Sequence, residues 1–290
     1  MLRRAIAAAV ALAVLAAPAT AAATARVGAF PNESGGILVL EQALGQPLAI
    51  DHSYVSWDFT SWQKRIAPDL SAGRTPLLSW SAAPKTTAAA IASGSQDARI
   101  DAAAAALKAS GATVLLRPFY EFDQPIGHPR YIGTPTQVIA AWRHLFNRFR
   151  LDGATNVKFV WCPMAFDYTK GVAQQFWPGP KYVHYVAADG YNFPGQKWRS
   201  FDAIFQDAYA FAVARGKRFL IAETASPATD LRTPGWIAEA AVWAQANTDV
   251  AAIVYFDSVS PKGYDFRLTP NALVLGAYLS WIQLPYFAVT

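Results

Sequence analysis

Eight short apolar runs recur along the chain: Arg26–Phe30, Pro47–Asp51, Pro76–Trp80, Thr113–Pro118, Val157–Cys162, Val183–Ala188, Arg218–Glu223 and Ala251–Phe256. Most show little polar alternation, the pattern of parallel strands covered on both faces. Between several of them the period lengthens to that of a helix. Asp97–Ser110 is alanine-rich, sets Ile100 and Leu107 on one face and is followed by Gly111. Thr134–Arg150 opens with Thr134, Pro135 and Gln137, the spacing of a capping box. Further helices are predicted over Ser200–Arg215, Thr233–Asn247 and Thr269–Trp281. Strands alternating with helices through about 265 residues predict an α/β chain folded as a (β/α)8 TIM barrel. An open dinucleotide-binding sheet would need a GxGxxG turn after the first strand, and GAFPNESGG at residues 28–36 lacks it.

The ends change this picture little. Residues 1–25 combine Arg3 and Arg4, an apolar stretch over residues 5–17 and two small-x-small sites, Ala19–Ala21 and Ala23–Ala25. A secretory signal peptide is expected there, with one domain over residues 26–290. The apolar stretch is too short for a membrane span and Pro18 ends it, so no stable membrane insertion is expected once it is removed. The expected product is a secreted, extracellular or periplasmic monomer. Cys162 is the sole cysteine, so no internal disulfide is available, and its place in the run VKFVWCP reads as a small buried hydrophobe. The formal charge of +5 falls to about +3 without Arg3 and Arg4, and the basic residues are scattered, which argues against nucleic acid as a partner. The ten Trp, twelve Tyr and seventeen Phe suit a core, and they also suit a polysaccharide cleft, where sugar faces stack on rings.

Candidate chemistry sits at two strand ends. LLRPFYEFD (115–123) and RFLIAETAS (218–226) each run from apolar residues to a glutamate, Glu121 and Glu223. At the C-terminal ends of strands four and seven, the two carboxyls face one mouth of a barrel, the arrangement that cuts glycosidic bonds. Arg117, Tyr120 and Asp123 surround Glu121. Arg117 needs an anionic partner if it points inward. The segment AADGYN adds Asp189, Tyr191 and Asn192, and Tyr191 is placed to donate to a carboxylate. Trp80, Trp161 and Tyr255, near the ends of strands three, five and eight, are candidates to floor sugar subsites or to pack the core. The four histidines form no HExxH or HxH pair, so no metal is expected, and no organic cofactor is implied.

These residues together resemble glycoside hydrolase family 26, over nearly the whole mature chain. The resemblance rests on GAFPN, YVSWDF (54–59), GRTPLLSW (73–80), LLRPFYEFD, GATNVKFVWCP (153–163), FWPGPKYV (176–183), AADGYN, FLIAETASP and YFDS (255–258), in that order. It implies secreted barrel enzymes working by double displacement, with endo-β-mannanase, mixed-linkage β-glucanase and β-xylanase among their activities. It further implies Glu121 as general acid/base, Glu223 as nucleophile, Tyr191 as a residue of the active centre, and Tyr255 where the family has a tryptophan under the −1 sugar. The chain departs from that pattern at several places. Tyr120 stands for a histidine, Phe122-Asp123 for Met-Asn, QPIGHPRYIG (124–133) for a tryptophan-rich loop, Met164 for an asparagine, and Pro180 and His184 for aspartates. These changes lie around the sugar, so the preference is expected to move from mannan toward a β-glucan or an exopolysaccharide. The leading expectation is a retaining endo-β-glycanase. The alternative is a non-catalytic polysaccharide-binding protein on an enzyme-derived barrel.

Overall fold

The computed structural model describes residues 24–287. Eight parallel strands close a barrel in sequence order. They are β1 (Arg26–Ala29), β2 (Ile50–Ser56), β3 (Thr75–Ser81), β4 (Val114–Pro118), β5 (Val157–Trp161), β6 (Tyr185–Tyr191), β7 (Arg218–Ala225) and β8 (Val250–Tyr255). β1 closes the ring by pairing with both β2 and β8. Helices α1 (Gly36–Leu44), α2 (Trp62–Ser71), α3 (Ala88–Ala92), α4 (Asp97–Lys108), α5 (Pro135–Leu151), α6 (Ala165–Thr169), α7 (Phe201–Val213), α8 (Thr233–Ala246) and α9 (Ala272–Ile282) accompany the strands. No helix among the described residues is long and apolar enough to cross a membrane.

The expected strands are present, with one large displacement. The second was placed at Pro47–Asp51 and lies at Ile50–Ser56. Its outer half, His52-Ser53-Tyr54, is polar because it faces the barrel mouth, so it does not read as a buried run. The capping box at the start of α5 is formed, with the Gln137 amide donating to Thr134 Oγ1 at 3.4 Å. The last helix starts later than expected: Asn271, rather than Thr269, caps α9 by accepting from the Leu273 and Val274 amides. The signal peptide expected over residues 1–25 lies outside the described residues except for Thr24 and Ala25. Ala25 is fully buried against the barrel, and the carbonyl of exposed Thr24 accepts from Arg218 Nη2 at 3.3 Å.

The core has two parts. An outer shell lies between strands and helices, and a separate inner cluster fills the barrel. Ile50, Leu77, Leu115, Val160, Ala187 and Leu220 belong to the inner cluster, from six successive strands. Side chains alternate across a strand, so residues two further on also point inward. On β2, β3, β4 and β6 these are His52, Ser79, Arg117 and Asp189, and the residue two beyond Val160 is Cys162. All five are buried. A polar layer therefore lies on the apolar floor, directly below the mouth.

Gly28 in β1 has no room for a side chain. A Cβ there would lie 2.5 Å from both Ile50 Cβ and the Ile50 carbonyl oxygen on β2. Gly28→Ala is expected to destabilise the barrel by about 1–3 kcal/mol, since backbone rather than a flexible side chain must yield. Urea unfolding of the two proteins measures this.

Candidate active site

Arg117 is the hub of the polar layer. It is fully buried, and its Nη1 donates to both Asp189 carboxylate oxygens at 2.7 Å. Its Nη2 donates to Glu223 Oε1 in a very close contact, and its Nε donates to Ser79 Oγ at 2.7 Å. The Ser79 oxygen also meets His52 Nε2 at 2.7 Å. Burial, reinforced by the Arg117 charge, lowers His52 to about 3, so the ring is neutral. Arg117 Nη2 lies 3.5 Å from the same Nε2 and can only donate, which assigns Nε2 as the acceptor. Cys162 Sγ completes the layer 3.2 Å from Asp189 Oδ1, and burial pushes its thiol well above the ordinary range.

One guanidinium serves two carboxyl groups, and they divide unequally. Burial alone would raise Glu223, but Arg117, helped by the Tyr191 and Tyr54 hydroxyls, overrides it and holds the group at about 2. The Tyr191 hydroxyl donates to Glu223 Oε2 at 2.5 Å. Asp189 moves the other way. Burial raises it to about 8 against the pull of Arg117, with the Glu223 charge adding to the rise. Glu223 is thus the fixed anion of the pair.

A break in strand regularity aims Glu223. Leu220 and Ala222 face inward, so strict alternation would turn Glu223 outward. Between Ile221 and Thr224, however, β7 carries an extra residue against β8. Likewise two steps on β7, Ile221 to Glu223, match one step on β6, Ala188 to Asp189. This bulge turns the carboxylate onto Arg117.

Glu121 is positioned by a strained turn. Phe119 and Glu121 both adopt left-handed backbone, at φ 57 and 52. Such conformations cost non-glycine residues roughly 1–2 kcal/mol each. They are held by the Phe119 amide donating to the Trp80 carbonyl at 3.0 Å and the Glu121 amide donating to the Cys162 carbonyl at 2.9 Å. The end of β4 is thereby pinned between β3 and β5, and Glu121 enters the mouth beside Glu223. One carboxylate oxygen each from Glu121, Asp189 and Glu223 lies within 4.8 Å of the others. The oxygens of Glu223 and Asp189 already accept from Arg117 and Tyr191, and Glu121 is paired with Arg130, so this donor set is committed to cations of the protein itself. Above them opens a cleft of about 920 Å³ whose walls include Phe30, Tyr54, Tyr120, Tyr191, Phe193 and Phe256.

No protein-family model matches the chain. Endoglucanase H of Acetivibrio thermocellus is 32% identical to it over 268 residues, covering 87% of this chain and 29% of that protein. The chain thus spans less than a third of the length of that curated relative. Among solved structures, the catalytic domain of a family 26 endo-β-1,4-mannanase from a Bacillus species aligns with a TM-score of 0.70 at 17% identity, covering 91% of this chain and 87% of that one. A family 26 β-mannanase from Bacteroides ovatus aligns at 0.67 and 14% identity, covering 92% and 88%. Its barrel is that of these family 26 glycoside hydrolases, and over 87% of its length it is similar to that endoglucanase.

On this barrel the residues singled out from the sequence separate into two groups. Glu121, Glu223, Tyr120 and Tyr191 meet at the cleft. Five others do not line it, and their expected contact with substrate is corrected. Trp80 is fully buried in the outer shell, stacked on Trp57 at 4.2 Å between ring centroids. Trp161 is buried there too, against Trp177 and Phe211. Tyr255 packs on Tyr278, with its hydroxyl 3.4 Å from the Ser226 carbonyl. All three errors are of parity. On β3, β5 and β8 the inward residues include Leu77, Val160 and Val254, so Trp80, Trp161 and Tyr255 lie an odd step away and face the helices. Phe256, one residue past Tyr255, lines the cleft instead. Arg117 is sealed beneath Glu223 and positions that group without lining the cleft. Asp123 is buried outside the cleft, where its Oδ2 accepts from the Met164 amide at 2.9 Å; burial first, and Asp167 next, raise its pKa well above the ordinary range. The sequence reading missed Tyr54, whose signal was its place four residues beyond inward-facing Ile50. It also missed Arg130, for which a lone arginine in a loop gave none.

Arg117→Gln is expected to move the Glu223 carboxyl from about 2 to above its ordinary 4.5, because burial then acts without the cation. Carbon-13 titration of labelled glutamate side chains in the folded variant measures this. By linkage, the wild-type pairing contributes stability that is present above 4.5 and lost as pH falls through about 2.

Proposed function

We propose that this protein is a secreted, retaining endo-β-glycanase acting on a β-linked polysaccharide. The observation that carries the reading is the pair Glu121 and Glu223, with carboxylate oxygens within 4.8 Å in an aromatic cleft and one of them locked as an anion. A separation of about 5–5.5 Å between carboxyl groups leaves no room for a water between them and sugar, and goes with a covalent intermediate. Glu223 attacks the anomeric carbon while Glu121 gives its proton to the departing glycosidic oxygen. The glycosyl–oxygen bond breaks as the Glu223 ester forms. Water then gives a proton to Glu121 and its oxygen to the anomeric carbon, releasing Glu223 as a carboxylate. Arg117 and Tyr191 hold Glu223 as a carboxylate before attack and stabilise it again as it leaves, and no residue in this scheme calls on a metal or organic cofactor.

The relative named an endoglucanase and the neighbours named endo-mannanases support endo-acting hydrolysis. Tyr120, standing in the cleft where the family's histidine is expected, supports a β-glucan over mannan. Its ring packs on Tyr54 at 5.1 Å between centroids and closes one wall of the cleft. The domain works as a monomer with polysaccharide as its partner, away from nucleic acid and membrane. A second reading, a polysaccharide-binding protein without turnover, is favoured by one observation only, the pairing of Glu121 with Arg130.

Glu223→Gln is expected to lower turnover of soluble β-glucan by about a thousandfold or more in protein that circular dichroism shows to be folded, because the amide cannot form the ester. Wild-type protein that releases no reducing ends from any β-glucan, β-mannan or β-xylan would establish the binding reading instead. For Glu121→Ala, the loss on an aryl glycoside with a good leaving group should be at least about tenfold smaller than the loss on polysaccharide. Azide should restore part of its activity, with a glycosyl azide as product. Equal losses and no azide product would remove Glu121 from the acid/base role.

A further inference from the structure

The loop after β4 brings a cation onto the acid/base candidate. Arg130 pairs with Glu121 Oε2 through Nη1, and its guanidinium lies 5.2 Å from the centre of the Tyr120 ring. The two partners differ in exposure: Glu121 is buried, whereas the Arg130 side chain is 41% exposed and open to the cleft. Lys262 stands in the same walls, and among the described residues the carboxylates lining the cleft are Glu121 and Glu223. Glu223 is already satisfied from below by Arg117. With both carboxylates already paired, Lys262 adds a positive charge that the cleft lining does not neutralise.

This arrangement conflicts with a neutral substrate. A carboxyl group cannot deliver a proton while it is paired as a carboxylate with a guanidinium. A neutral sugar that displaced Arg130 from Glu121 would offer its guanidinium no anion in exchange. A carboxylate on the sugar removes the conflict, since guanidinium and carboxylate form a strong two-point pair. Arg130 then passes from Glu121 to the ligand, and Glu121 is released to take up the proton it must donate.

Resting on the hydrolase reading above, we propose that the substrate is a β-glycan bearing carboxylate groups. Arg130 reads one of them on the leaving-group side of the scissile bond, where Glu121 works. The pairing with Glu121 is the resting state of this specificity residue.

The test uses β-1,4-glucan and β-1,4-mannan with a fraction of their C6 hydroxyls oxidised to carboxylates, beside the same preparations reduced back to alcohols. For the wild type, kcat/KM on an oxidised polymer should exceed that on its reduced twin by about tenfold or more, the worth of a charge-assisted hydrogen bond. Arg130→Ala should lose that preference through a fall on the oxidised form, while Arg130→Lys recovers part of it. Binding of the same polymers to the Glu223→Gln protein, followed by affinity electrophoresis, separates the two layers of the argument. Selective binding of the oxidised polymer without any cleavage by the wild type would keep the carboxylate proposal and overturn the hydrolase reading. Equal binding and equal cleavage of both forms, no binding of either, or an equal loss on both in Arg130→Ala would overturn the proposal.

Discussion

A guanidinium sealed inside the barrel organises this molecule. Arg117 has no access to water, and a charge in that position is tolerated only when paired and fully hydrogen bonded. Its partners come from β3, β6 and β7, so the requirement fixes three strands around β4 at one level. The same bonds keep Glu223 ionised and tip Asp189 the other way. Stability and chemistry are thus coupled at one side chain. Removing Arg117 would leave a buried carboxylate uncompensated, a change that typically costs about 3–5 kcal/mol.

The barrel was legible in the sequence because parallel strands covered on both faces are apolar throughout, and nearly all of those runs became strands. Legibility failed where a strand turns polar. The outer half of β2 carries His52, Ser53 and Tyr54, and it was lost with the polar floor and the wall it supplies. The two glutamates were legible because each ends an apolar run. The bulge that aims Glu223 was not, since IAET holds no proline or glycine to mark an extra residue.

The aromatic residues teach a narrower lesson. Trp80, Trp161 and Tyr255 were chosen for ring type and for nearness to strand ends. Inward and outward positions alternate, so counting from Leu77, Val160 and Val254 would have sent all three to the helices and brought Phe256 to the cleft. Arg130 differs in kind. It reaches the centre from a loop of ten residues, 124–133, and no periodicity governs where a loop delivers a side chain.

The left-handed backbone at Phe119 and Glu121 has a consequence for how this sequence can evolve. Glycine would adopt either conformation freely, so the residue best for folding at position 121 is not the residue needed for the proposed acid/base work. A lineage that lost the proposed activity would be drawn toward glycine or asparagine at 121 by stability alone. Retention of glutamate against that drift is therefore a selectable trait in its own right, and the anchoring bonds from Trp80 and Cys162 are what allow the fold to carry it.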